Sequence, residues 1–243
     1  MIRFEEHKND PIFYALLKLD DAMSEHNCAP ITLNVVGGFA LMIHEDRTAS
    51  EYTDIDFVGL QLSRQVKQLA DEVGQQTGMV KDWLNNDMIL AGATLEDLEF
   101  STGPLNFIPA YQLDNICINV LDEPDLLRLK LIAIDTAMVE LENHTDFTRF
   151  KDLRDIAALL NKLDLTPAQA IHNNQEYLIN ENTQTLIQAY LDNHGDVVKT
   201  LQQIQDKLDY AQYQQLKTKF EPAEHSLLDD RGISGMLDDL FSR

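Results

Sequence analysis

The sequence predicts a mixed α/β (α+β) chain: a mixed sheet flanked by helices over residues 1–163, then a helical region over 164–243. Three observations carry that prediction. Short apolar runs bounded by Gly, Pro and Asn have strand length and strand composition. Longer stretches repeat apolar residues every three or four positions, as helices do. After Leu163-Asp164-Leu165 the composition turns to Gln, Asn and Leu.

The elements follow in order. Asp10 is placed to cap a first helix, with Pro11 where a missing N–H costs nothing. Ile12, Leu16, Leu19 and Met23 give that helix, residues 11 to 26, an apolar face. Pro30 leads into a strand, Ile31 to Val36. Gly37 and Gly38 open a short helix, Phe39 to His44. A polar loop then reaches the strand Asp54 to Leu60. Val66, Leu69 and Val73 make the next helix, which begins at Ser63 and ends near Gly74 to Gly78. Residues 79 to 104 show no clear period; Trp83-Leu84-Asn85-Asn86 reads as an anchor packing on the sheet. Strands are expected at Asn106 to Ala110 and Asn115 to Leu121. Two helices follow, Pro124 to Glu142 with Leu126, Leu129, Ile132, Ala133 and Ala137 inward, and Phe147 to Lys162 with Phe150, Leu153, Ala157 and Leu160 inward. Thr166-Pro167-Ala168-Gln169 is a capping box. It starts a helix over 167–193, and His194-Gly195-Asp196 separates that helix from one over 196–219.

The segment with most chemical content joins the first two strands. Side chains at i and i+2 of a strand share a face. Asp54 and Asp56 therefore point one way while Ile55 and Phe57 point into the core. Two like charges side by side call for a cation or a proton between them. Mg2+ takes oxygen ligands and completes its shell with water and substrate phosphates. Gly37 and Gly38 let backbone N–H groups approach a phosphate closely. The pair of features reads as a site for a metal-bound nucleoside triphosphate. Thr53 either positions a phosphate or ribose through its hydroxyl or favours the strand. Arg47 either contacts a phosphate or pairs with Glu45 or Glu51. His44 lies near the site and reads as a packing or hydrogen-bonding residue. Lys130, among leucines, either snorkels from an ordinary helix face or faces a phosphate. Asp152 and Asp155, three apart on a helix, face similar directions.

This arrangement resembles the nucleotidyltransferase superfamily, the DNA polymerase β-like fold. Its signature is an apolar residue, Gly-Gly or Gly-Ser, a spacer, then Asp-x-Asp or Asp-x-Glu. Residues 35 to 58 carry that signature. Arg47-Thr48 and Thr53-Asp54-Ile55-Asp56 look like the form found in bacterial nucleotidyltransferase-like proteins related to abortive-infection toxins of the AbiEii type. Pro124 to Leu131 is similar to that group's helix with an inward lysine, and Arg149 to Ile156 to its Arg-x-Lys-Asp-x-x-Asp helix. The resemblance spans residues 31 to 160 and implies a nucleotidyltransferase-like core, Mg2+ as cofactor, a nucleoside triphosphate as substrate and an unknown acceptor. It implies Asp54 and Asp56 as metal ligands, and Asp54, Asp56, Lys130 and Asp152 as the catalytic set. Gly37, Gly38, Arg47 and Thr53 would bind the nucleotide. Two departures stand out. The spacer, residues 39 to 53, is long, and Asn119 stands where a third carboxylate is expected, with Asp114 and Asp122 flanking it. The alternatives are an inactive module binding a nucleotide or a protein partner, and a toxin–antitoxin component.

Charge narrows the partners. The formal net charge is −22, from 41 acidic and 19 basic residues. Nucleic acid is bound through phosphate neutralisation by Lys and Arg, so this excess argues against extended DNA or RNA binding. No apolar run has the length needed to cross a bilayer. Met1-Ile2-Arg3-Phe4-Glu5-Glu6 lacks the pattern of a secretory signal. Cys28 and Cys117 lack metal spacing and read as reduced thiols. The expected location is the cytoplasm.

Overall fold

A computed structural model describes residues 10–45, 54–86, 95–140 and 152–204. The protein is α+β, a five-stranded mixed sheet flanked by helices. Its contacts divide it into two compact units, one ending at Leu126 and the other beginning at Leu127.

The first unit opens with α1 (Pro11–Glu25). Asp10 stands at its N-cap with extended backbone, but its side chain makes no capping hydrogen bond; Pro11 alone marks the start. β1 (Ile31–Val35) runs into α2 (Gly37–Glu45), so the helix begins at the glycines themselves. β2 (Ile55–Val58) pairs antiparallel with β1, matching Val35 to Phe57 and Asn34 to Val58. α3 (Arg64–Thr77) begins at Ser63, whose side chain accepts the Val66 N–H. It ends on Gly78, whose φ of 76° is the left-handed conformation that suits glycine at a helix C-terminus.

Residues 79 to 104 hold elements that periodicity did not reveal. Leu84–Asn85 forms β3, a two-residue strand parallel to β2, and Leu95–Thr102 forms α4. Trp83 is an anchor, but its ring packs on α3 where the sheet was expected: it is buried beside Gly74 and its indole N–H donates to the Ala70 carbonyl at 2.9 Å. β4 (Phe107–Gln112) and β5 (Ile116–Leu121) complete the sheet in the order β3-β2-β1-β5-β4. β5 is parallel to β1 and antiparallel to β4. One sheet face carries Leu33, Val35, Ile55, Phe57, Ile118 and Val120, all buried. Phe13 of α1 meets Phe39 of α2 at 5.5 Å and the edge of Tyr111 of β4 at 5.3 Å. Burial of such side chains stabilises by about 1.5–3 kcal/mol each.

α5 (Glu123–Glu140) crosses the boundary between the units. Its buried positions differ from the predicted face. Leu126 and Ala137 are inside as expected, but Leu127, Lys130, Leu131, Ile134 and Asp135 are buried, while Leu129, Ile132 and Ala133 are only half-buried. α6 (Asp152–Lys162) shows the same shift: Asp152, Leu153, Ile156, Leu159 and Leu160 are buried and Ala157 is not. Both corrections have one cause. Lys130 and Asp152 pair with each other inside the second unit, so charged positions lie on the inward faces.

The expected helix over 167–193 is two helices, α7 (Pro167–Asn173) and α8 (Thr183–Asp192). The capping box at Thr166 and Gln169 is formed. The break is held by Asp135 of α5, a buried carboxylate that accepts the N–H groups of Ile179 and Asn180 at 2.8 and 3.1 Å and the Thr183 hydroxyl at 2.6 Å. α9 (Val197–Gln203) starts where predicted, with His194 and Gly195 at positive φ and Asp196 accepting the Lys199 N–H. The start of the expected 147–162 helix and the rest of the 196–219 helix lie outside the described residues.

Candidate active site

Gly37 and Asp56, nineteen positions apart in the chain and both named by the sequence, meet in the structure. Gly37 has a φ of 67°, accessible to glycine and strained for most other residues. A methyl group placed on it would lie 2.9 Å from Asp56 Oδ2 and 3.7 Å from Asp56 Cγ, so the carboxylate rests directly against the glycine. The Val36 N–H donates to the Asp56 carbonyl at 2.9 Å and fixes this register. A methyl group on Gly38 would meet nothing within 4 Å. The space that a Gly38 side chain would fill is therefore open among the described residues, and helix N-termini favour anions through their unpaired N–H groups.

Alternation along β2 holds as predicted. Ile55 and Phe57 are buried, Asp56 is half-buried and Asp54, just before the strand, is exposed. Asp54, Asp56 and Val58 thus share the face opposite the core. Asn34 of β1 is the cross-strand neighbour of Val58 on that face, and Asn119 of β5 lies next to Asn34. Asn119 Nδ2 donates to Asn34 Oδ1 at 3.0 Å. On the outer side of β2, Asn85 of β3 pairs with Asp56. Asn34 was not among the candidates that the sequence offered; its signal was an amide within an apolar strand, a residue type that strands disfavour. His44 hydrogen-bonds as expected: Nε2 lies 2.6 Å from the Leu121 carbonyl and Nδ1 lies 3.2 Å from Glu123 Oε1. Arg47 and Thr53 lie outside the described residues.

The metal expectation has a bounded fit. Among the described residues no group of three or more His, Cys, Asp or Glu converges to hold an ion. Two carboxylates on one strand face are nonetheless a suitable donor set for Mg2+, which is commonly bound through one or two carboxylates plus phosphates and water. They do not suit a cage made wholly of protein ligands.

Lys130 and Asp152 pair with each other within the second unit. Lys130 is 9% exposed and does not snorkel. Its Nζ lies 2.6 Å from Asp152 Oδ1 and 2.6 Å from Asp155 Oδ2. Burial works to lower the lysine pKa, but the two aspartates outweigh it and hold Lys130 above its ordinary value. Asp152 and Asp155 stand in the first turn of α6, where the helix dipole favours negative charge. Asp152 is 1% exposed, a buried acid. Its Oδ2 has no hydrogen-bond partner among the described residues.

Comparisons with protein-family models, with curated proteins and with solved structures give no match to this chain.

Proposed function

We propose that this chain is a Mg2+-dependent nucleotidyltransferase of the polymerase β-like fold, moving a nucleotidyl group from a nucleoside triphosphate to an acceptor yet to be identified. The observation that carries the reading is the contact between Gly37 and the Asp56 carboxylate. A glycine at positive φ, an open helix start and an acid occupy one spot at the end of β1. In an open sheet, ligands favour the region outside the carboxyl ends of parallel strands.

In this reading Asp54 and Asp56 would hold Mg2+, which would supply charge neutralisation at the phosphates of the substrate. The Gly37-Gly38 backbone holds the terminal phosphates through its N–H groups. Lys130 has two of its three N–H donors on Asp152 and Asp155, so its charge is largely balanced within its own cluster. The catalytic weight therefore falls on Asp54, Asp56 and the glycine turn.

One observation favours a second reading, a module that binds a nucleotide without turnover: Asn119 stands where a third acid was expected, and it is bonded to Asn34. Purified protein incubated with Mg2+, labelled nucleoside triphosphates and cell lysate separates the two. Transfer of label that disappears in Asp54→Asn and Asp56→Asn supports the enzyme. Calorimetric nucleotide binding without transfer favours the module. Neither transfer nor binding rejects both.

A further inference from the structure

Two central strands carry an amide each at the same level of the sheet. Asn34 of β1 and Asn119 of β5 are direct partners in the parallel register. They are flanked by Val58 of β2 on one side and Pro109 of β4 on the other. Both side chains are half-buried. Neither amide has a buried polar atom without a partner, so the groups that they leave unused are open to solvent. Each amide offers two N–H donors and an oxygen with two lone pairs. The bond from Asn119 Nδ2 to Asn34 Oδ1 uses one donor and one lone pair. Cys117 Sγ adds only a 3.9 Å contact to Asn119 Oδ1. Asn34 Nδ2, the second Asn119 N–H and most of the Asn119 oxygen's capacity are left without a protein partner among the described residues.

We propose that the Asn34–Asn119 pair recognises an uncharged group that donates and accepts hydrogen bonds side by side, namely the base edge or the ribose diol of a nucleoside. A phosphate can only accept hydrogen bonds and a cation can only take an oxygen, so neither answers donors and an acceptor together. It presents donors next to an acceptor, and a base edge or a diol returns the complementary pattern. Its place also fits. Asp56 is two residues along β2 from Val58, the direct neighbour of Asn34, which makes Asp56 and Asn34 diagonal neighbours on one face, roughly 7–8 Å apart. A nucleotide spans that distance from phosphate to sugar. The choice of a nucleoside rests on the nucleotidyltransferase reading; the unfilled amides do not.

The test follows the assigned side-chain amide signals of Asn34 and Asn119, with the backbone signals of Gly37 and Gly38, in the 15N-labelled full chain. Ribonucleosides without metal or phosphate are titrated first, then their 2′-deoxy forms, then inorganic tripolyphosphate with Mg2+. Ribonucleosides are expected to move the two side-chain signals, and Asn34→Ala to weaken their binding about threefold to tenfold, the loss of one neutral hydrogen bond. Loss of the shift with deoxynucleosides assigns the ribose diol. A shift that survives deoxygenation and depends on the base assigns the base edge. Nucleosides that leave both side-chain signals in place overturn the proposal, whatever tripolyphosphate does. Nucleosides that move the asparagines while tripolyphosphate leaves Gly37 and Gly38 unmoved uphold this proposal and count against the transfer reading.

Discussion

Gly37 and Gly38 are adjacent and chemically identical, yet their surroundings give them different tasks. Gly37→Ala places a methyl group 2.9 Å from Asp56 Oδ2 on a backbone with φ of 67°. It should cost about 1–2 kcal/mol for the left-handed conformation alone, and it should displace the acid. Gly38→Ala meets nothing within 4 Å. It should fold as the wild type does and lose phosphate binding only if a ligand occupies that space. Thermal melts beside a tripolyphosphate titration separate the two variants, and equal melting losses would refute the distinction. Lys130 allows an equally direct prediction. Lys130→Met leaves the Asp152 carboxylate buried without its counter-ion and should cost about 3–5 kcal/mol. Adding Asp152→Leu should recover most of that loss, since an apolar pair of similar volume often replaces a buried ion pair without penalty. Denaturant midpoints of the single and double variants check it.

At the scale of the element, local chemistry was readable and distant chemistry was not. Ser63, Thr166 with Gln169, and Asp196 announced their helix starts because a cap is a contact between near neighbours in the chain. The meeting of Gly37 with Asp56 was legible because both halves lay in one short stretch. The inward faces of α5 and α6 were misread because Lys130 and Asp152 look like surface residues until each is known to face the other. β3 escaped notice because two residues carry no period; it exists by pairing with β2 and through the anchor at Trp83. The break between α7 and α8 depends on Asp135, 44 residues before Ile179. Asp135→Ala should cost about 3 kcal/mol or more, given that hydrogen bonds to a charged group contribute about 1.5–3 kcal/mol each. The amides of Ile179 and Asn180 should then exchange their hydrogens faster, while those of the central strands stay protected.

At the scale of the whole molecule, the resolved pKa shifts act at opposite ends of the pH range. Lys130 lies above the ordinary lysine value because its two aspartates outweigh its burial. Tyr190 lies above the ordinary tyrosine value, chiefly through burial, with Asp155 adding and Arg154 opposing. As pH rises, the unfolded chain loses these protons before the folded one. The folded state then holds more protons, and stability falls with pH. The contribution is complete below the ordinary values and is lost as pH passes the folded ones. Asp196 has the opposite sign. The Lys199 backbone N–H is the first cause of its lowered pKa, so its contribution is present above the ordinary aspartate value and fades in acid. Denaturant midpoints taken from about pH 9 upward should decline, and Lys130→Met should flatten the decline. A flat wild-type profile would refute the account. The buried indole of Trp83, bonded to Ala70, has a practical use as well. The chain has a single tryptophan, and it lies in the unit that ends at Leu126. Its emission, shielded from water in the native state, reports the melting of that half alone; far-ultraviolet dichroism, dominated by helices, registers both. A mismatch between the two optical curves would reveal whether the halves melt together or in turn, with no label attached.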